Sequence, residues 1–388
     1  MSRPLSIVFL DSHSWDYHAD TPLQRPLGGT QSAACHLAAA LAARGHRVAL
    51  STYTTAPGTY RGVECVGREP GRDARWLGNF DVIVLLGTGS AEQLRPAFPI
   101  TTQLVLWTGF TPQLKVMQHL ASEMEQAGWD GFAFASVWQA RRFRETFRLP
   151  AERCRVLRYG AAPPFLALPE RQAPPPPTPT FLHTSSPERG LSVLLDAWPA
   201  IRAELPGARL IVTSGRQTYQ IAEADDAHRG LYDRARASDG VEYVGSLSQT
   251  GLAERAGRCD ALLYPSIFGE TGCIAAIEAM AAGLRVVATD LAALPETGAG
   301  FAMVVRAGGD HAALARRFAA TVVADWKQAL AQPQAWVAQR IVQQRFIRAV
   351  HNWDRIAAMW ESWLRDRADK AMHRPGAATP PADMAVAS

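Results

Sequence analysis

Apolar runs of four to six residues alternate along the chain with longer stretches in which apolar positions recur every three or four residues. Runs without polar alternation suit strands covered on both faces, and the spacing between them suits crossover helices. The pattern therefore predicts parallel sheets in an α/β fold. In the first half the expected strands are residues 6–10, 47–52, 82–86, 103–106 and 131–135. Residues 30–44 place Ala34, Leu37, Ala38 and Leu41 on one helical face, with Gly45 as the stop.

The alternation breaks near Gly160, where Ala161, Ala162, Pro163, Pro164 and Phe165 are followed by a run of prolines from Pro174 to Pro177. Few amide donors and a preference for extended backbone make this stretch an interdomain connector. The pattern then restarts, with strands expected at 180–184, 209–213, 241–244, 261–264 and 285–289 and helices at 191–204, 249–258 and 273–282. Residues 311–367 read as helical, and Trp353, Ile356, Trp360 and Trp363 form a stripe of the kind that packs a core. The expected organisation is a first domain over 1–165, a Pro-rich linker over 166–179, a second domain over 180–349, a helix at 350–367 returning to the first domain, and a disordered tail over 368–388.

A length of 388 residues suits two domains, and 47% hydrophobic with 20% charged residues excludes a disordered, collagen-like or coiled-coil chain. No segment reaches ~20 apolar residues and the first apolar run is too short for a signal-peptide core, so a cytoplasmic protein is expected. The five cysteines, Cys35, Cys65, Cys154, Cys259 and Cys273, are scattered and never spaced as a redox or zinc pair; reduced, mostly buried thiols are expected. The net charge of +4 comes entirely from residues 1–165, which hold 17 Lys and Arg against 13 Asp and Glu. A basic first half is compatible with an anionic acceptor or with peripheral contact at the inner membrane face. Nothing in it suggests nucleic acid, because no basic stripe carries interleaved stacking aromatics.

Three places carry chemistry. Gly28, Gly29 and Thr30 lie between the first strand and the first helix, where absent side chains and a helix start together suit a phosphate. Gly87, Thr88 and Gly89 also follow a strand, but Glu92 stands where a dinucleotide fingerprint needs a small residue, and the dinucleotide reading is rejected. The richest stretch runs from Pro265 to Gly283: Glu270 precedes a helix and Glu278 lies within it on an otherwise apolar surface. Carboxylates so placed suit sugar or ribose hydroxyls, while the amides of Gly272, Cys273 and Ile274 suit polar or anionic groups.

The Glu270 and Glu278 pair, followed by Ala279, Met280, Ala281, Ala282 and Gly283, resembles the retaining glycosyltransferases of the GT4 family. So do Gly28 and Gly29, the turn from Leu41 to His46, the stretch from Ser185 to Leu191, and Val244 to Leu247. The resemblance covers most of residues 5–365. It implies the GT-B fold, two Rossmann-like domains facing each other across a cleft, and a nucleoside-diphosphate-sugar donor held mainly by the second domain. It further implies that Glu278 bonds the ribose, that Glu270 and the amides after it (Thr271 to Ile274) hold the transferred sugar, and that Arg189, with Ser185 nearby, neutralises the diphosphate with the Gly29 amide. Gly245, Ser246 and Leu247 would border the base. Glu270 and Arg189 are the expected catalytic residues, the acceptor is a glycan, lipid-linked or protein hydroxyl, and neither cofactor nor metal is expected. No Asp-x-Asp pair occurs, and the adjacent Asp225 and Asp226 read as loop charges.

The sequence departs from the family on the acceptor side. Where a histidine is usual, the chain reads Trp107, Thr108, Gly109, Phe110; a further basic position is Thr184, and the linker asparagine is Tyr159. His13, His18 and His119 are the candidate substitutes. The alternative function these departures raise is a nucleotide-sugar-binding module that acts as a partner or regulator.

Overall fold

In a computed structural model, which describes residues 3–67, 69 and 73–372, the chain forms two sheets. The first contains β1 (Ser6–Asp11), β2 (Arg47–Ser51), β3 (Gly58–Tyr60), β4 (Val63–Val66), β5 (Val82–Leu86), β6 (Gln103–Trp107), β7 (Gly131–Phe134) and β8 (Cys154–Val156). Their order is β3-β4-β2-β1-β5-β6-β7-β8, parallel throughout except for the β3-β4 hairpin. The second contains β9 (Thr180–Ser185), β10 (Arg209–Ser214), β11 (Val241–Tyr243), β12 (Ala261–Tyr264), β13 (Arg285–Thr289) and β14 (Met303–Val305), parallel throughout in the order β11-β10-β9-β12-β13-β14. The central strands are buried along nearly their whole length, which is why they read as unbroken apolar runs.

The expected strands are all present, with ends shifted by a residue at most. The short strands β3, β4, β8 and β14 were not anticipated, since three or four residues carry too little periodicity to separate from a loop. A helix at Arg229–Ala237 was also missed; it buries only Tyr232 and Ala235 and carries Arg229, Asp233, Arg234 and Arg236 among its other residues. The connector holds one short turn of helix, Pro163–Leu166.

The helices that position the site are α1 (Gly29–Ala43), α2 (Leu191–Glu204), α3 (Gln249–Ala256) and α4 (Ile274–Ala281). Two long helices, α5 (His311–Ala331) and α6 (Pro333–Val350), lead into α7 (Trp353–Met372), which returns to lie along α1. There Trp360 meets Trp107 edge-on at 5.1 Å, Gln103 donates to the Leu364 carbonyl at 3.1 Å, and Arg44 bonds Glu361. All four residues of the aromatic stripe are buried, so the stripe is packing. The last helix continues to Met372, past the expected start of the tail at 368; residues 373–388 lie outside the described residues.

Candidate active site

In an open parallel sheet the crevice forms where neighbouring strands run out to opposite sides, because the loops at the strands' C-terminal ends diverge there. In the first sheet this point lies between β1 and β5, and in the second between β9 and β12. The two crevices open onto one cleft of about 600 Å³. His13 and Gly87, which follow β1 and β5, line it from one side; Ser185, Ser186, Glu188 and Arg189, at and after the end of β9, and Phe268 to Glu270, which follow β12, line it from the other. Every residue assigned from the sequence to donor binding or catalysis lines this cleft except Gly245, which is buried just before Ser246 with φ +80°.

Arg189 and Glu270 are bonded to each other. Arg189 Nε donates to Glu270 Oε1 at 2.6 Å, while its Nη1 donates to Ser186 and to the Tyr219 hydroxyl. Tyr264 donates to the same Glu270 oxygen at 2.7 Å, and its hydroxyl oxygen accepts from Ser185 Oγ at 3.2 Å. Burial disfavours the Arg189 charge, but the neighbouring carboxylate outweighs it and holds the guanidinium protonated well above its ordinary range. Burial likewise keeps the Tyr264 phenol neutral and able to donate. Arg189 Nη2 and Glu270 Oε2 have no protein partner among the described residues, so each group keeps one atom for a ligand. Gly190 sets this geometry: its φ of +94° caps α2, and a Cβ there would collide with the Pro265 carbonyl.

Glu278 lies deeper in α4, 4% exposed. Its Oε1 accepts from Gln249 Nε2 at 2.8 Å and from the Ala162 amide at 3.3 Å. Burial pushes its carboxyl up to about 8, against which these two donors pull only in part. Cys273 is the N-cap residue of α4, and its thiol is pushed up to about 12 by burial, so it is not a nucleophile at neutral pH.

On the first-domain side Gly28 caps α1. Neither glycine adopts a backbone angle closed to other residues: φ at Gly28 is −58° and Gly29 is already helical. The requirement is for space, since a Cβ on Gly28 would come within 2.9 Å of Gln31 Oε1 and 3.0 Å of the Trp15 ring. Tyr159, at the floor of the cleft, has its phenol raised to about 12 by burial.

Of the three candidate histidines, only His13 lines the cleft. Its Nδ1 meets Asp11 Oδ1 at 3.0 Å, and it packs against Trp15 and Phe110. Asp11 is fully buried and also accepts from Tyr17 at 2.7 Å and from Gln31 at 3.2 Å. His18 stacks on Tyr60, and His119 lies near Glu125, outside the cleft. Sequence reasoning missed Asp11, Gln31, Trp15, Tyr219 and Tyr264. Asp11 carried a usable signal, as an acid ending an apolar strand just before a histidine. Trp15 and Tyr219 stack at 5.6 Å from opposite domains, which no local pattern announces. Asp226, by contrast, is a structural acid that accepts from Tyr232 and the His228 amide. Among the described residues no group of three acidic, histidine or cysteine side chains is arranged for a metal.

Two facing parallel α/β domains with a cleft at their switch points define a GT-B architecture, and solved structures agree across the chain. Sucrose-phosphate synthase from Thermosynechococcus elongatus superposes with a TM-score of 0.68, covering 93% of this chain and 98% of that one at 20% identity. HepE of Anabaena, solved in complex with UDP-glucose, gives 0.64 over 93% and 100% at 16% identity. In sequence, residues 178–322 match the family described as Glycosyl transferases group 1, so the second domain carries a group 1 glycosyltransferase domain. The phosphatidyl-myo-inositol mannosyltransferase of Mycobacterium tuberculosis is 33% identical over 105 residues, 27% of this chain and 25% of that protein. The aligned stretch thus spans about a quarter of the mannosyltransferase. Among the described residues no helix is long and apolar enough to cross a membrane.

Proposed function

We propose that the protein transfers a hexosyl group from a nucleoside-diphosphate sugar to an acceptor hydroxyl, with retention at the anomeric carbon and without a metal. The observation that carries this reading is the Arg189–Glu270 pair, with one free atom on each partner, beside the start of α4. The diphosphate lies against Arg189 and the Gly29 amide, the sugar hydroxyls meet Glu270 and the amides from Thr271 to Ile274, and Glu278 takes the ribose. Ser246 and Leu247 border the base.

In the reaction the bond between the anomeric carbon and the phosphate oxygen breaks, and its electron pair stays on the diphosphate. The acceptor oxygen bonds the anomeric carbon on the face the diphosphate leaves, and the acceptor proton passes to the departing phosphate oxygen. Arg189 and the helix-start amides meet the growing negative charge in a preorganised, partly dry site, the arrangement that lowers a barrier most. A divalent cation is then not required for charge neutralisation.

His13, oriented by Asp11, takes the acceptor side in place of the histidine that Phe110 replaces, which favours a transferase over a binding module. The acceptor is a saccharide, a lipid-linked glycan or a protein, the lipid-linked case including peripheral contact of the first domain with a membrane. A thermal-shift screen of UDP-, GDP-, ADP- and TDP-sugars selects the donor. Transfer assays with the three acceptor classes, in buffer and in EDTA, with NMR of the product's anomeric proton, then test the reaction. Donor binding without transfer to any acceptor would favour the binding module, an inverted product would remove retention, and loss of rate in EDTA would remove metal independence.

A further inference from the structure

Glu278 belongs to the second domain, but the groups that orient it lead back into the first. Gln249, at the first position of α3, donates from Nε2 to Glu278 Oε1 at 2.8 Å, and its Oε1 lies 2.7 Å from Nε2 of His36, on α1. His36 Nδ1 in turn lies 3.1 Å from Arg61 Nη1. His36 is buried and stacks on Trp353 at 5.9 Å. A second bond, Thr250 to the Leu23 carbonyl at 2.9 Å, pins the same end of α3 to the first domain.

The direction of this chain is determined by its first member. A guanidinium only donates, so His36 Nδ1 must accept, and the ring proton then sits on Nε2 and is donated to Gln249 Oε1. With that oxygen engaged, the Gln249 amide has its NH₂ toward Glu278. Three groups therefore donate in one sense, toward Glu278, a polarised series in which each bond strengthens the next. Burial supports this assignment by holding the His36 ring down at about 4, neutral at physiological pH.

Arg61 is placed at some cost. It and Gly62 form the two-residue turn of the β3-β4 hairpin with φ of +52° and +78°, a turn that favours Asn, Asp or Gly at both positions. A long side chain held in left-handed backbone is the sort of local strain retained where the side chain serves a purpose. Arg61 Nε also approaches Asp20 Oδ1 at 4.0 Å.

We infer that Arg61, His36 and Gln249 form a relay across the domain interface that orients the Glu278 carboxyl, making recognition of the donor's ribose depend on the first domain being docked against the second. The inference rests on the proposed donor reading, in which Glu278 meets the ribose. Arg61 and His36 are positioning residues, since neither lines the cleft. When the domains part, α3 loses both of its anchors and Gln249 is free to turn away from Glu278.

The informative variant is Arg61→Asn, which removes the head of the relay and suits the turn better than arginine does; His36→Phe, which keeps the ring stack on Trp353, is the second. Dissociation constants for UDP, GDP and ADP, each against its 2′-deoxy counterpart, are measured by calorimetry on the full chain, alongside the melting temperature without nucleotide. For the ribonucleotide that the unaltered protein prefers, both variants are expected to bind about five- to tenfold more weakly, the scale of one hydrogen-bonded contact. The 2′-deoxy form changes by less than about twofold, and the Arg61→Asn melting temperature is unchanged or higher. An unaltered ribose preference in both variants, or equal weakening of both nucleotide forms, overturns the relay. If the unaltered protein binds nucleotides but shows no ribose preference, the relay falls and the donor site stands; if it binds none, the donor reading falls first and the relay with it.

Discussion

Arg189 and Glu270, 81 positions apart in sequence, share a 2.6 Å hydrogen bond at the mouth of the second sheet's crevice. One comes from the loop after β9 and the other from the loop after β12, neighbouring strands whose loops must come close at a switch point. Each partner sets the other's side-chain angle and leaves its remaining polar atom facing the cleft. The pair is thus ordered before any ligand arrives, which is the condition for useful electrostatic stabilisation.

Glu270→Gln keeps an oxygen for Arg189 and Tyr264 but removes the negative charge. Turnover is expected to fall by about a hundredfold or more, with donor affinity changed less. Arg189→Ala does more damage, because it leaves the Glu270 carboxylate without its cationic partner, and both turnover and melting temperature should drop. Steady-state kinetics with the best donor, together with thermal melts, check both.

His13→Ala should reduce transfer to the acceptor by at least about tenfold while leaving the donor's dissociation constant within about twofold, since the ring lies on the first-domain side. Asp11→Asn should reproduce part of the effect by loosening the ring's orientation. Calorimetric donor binding unchanged beside depressed transfer is the expected signature; an equal loss in both would remove His13 from the acceptor side.

Glu278 gives a pH signature with a definite sign. Its carboxyl rises from an ordinary 4.5 to about 8 through burial, so the folded chain holds a proton there that the unfolded chain has lost. The stabilisation is complete below about pH 4.5 and is lost as the pH rises through about 8. His36 and His183, both held down to about 4 by burial, act oppositely, adding stability as the pH rises from about 4 through 6.5. Glu278→Gln removes only the first effect. The melting temperature of the variant minus that of the unaltered protein should therefore climb between pH 5 and pH 9, and a flat difference would refute the burial argument.

Gly190→Ala tests the local backbone. The residue combines φ +94° with a methyl-excluding approach to the Pro265 carbonyl, so alanine should cost about 2 kcal/mol or more and displace Arg189. Chemical denaturation and donor titration should both register the change. Gly45→Ala, where nothing lies within 4 Å of the added carbon, separates the effect of the left-handed backbone from that of the collision.

Much of this molecule could be read from the order of its residues. The strands β1, β5, β9, β12 and β13 are buried on both faces and so appear as apolar runs, and α2 ends where its spacing predicts. The glycines at 28 and 29 and the acids at 270 and 278 stood out because strand, turn and helix start lie close together in sequence, where local rules apply. What only the tertiary structure decided is which groups from distant segments meet. Trp15 on Tyr219, His36 beside Gln249 and Arg189 on Glu270 bring together residues 81 to 213 positions apart, and no periodicity encodes such a contact. The same holds for His13: its residue type was visible, but its selection over His18 and His119 followed from strand order, which alone placed the end of β1 at the cleft. Local spacing reports how a segment buries its own apolar face, whereas the chemistry here depends on how two sheets orient their loops toward a shared gap.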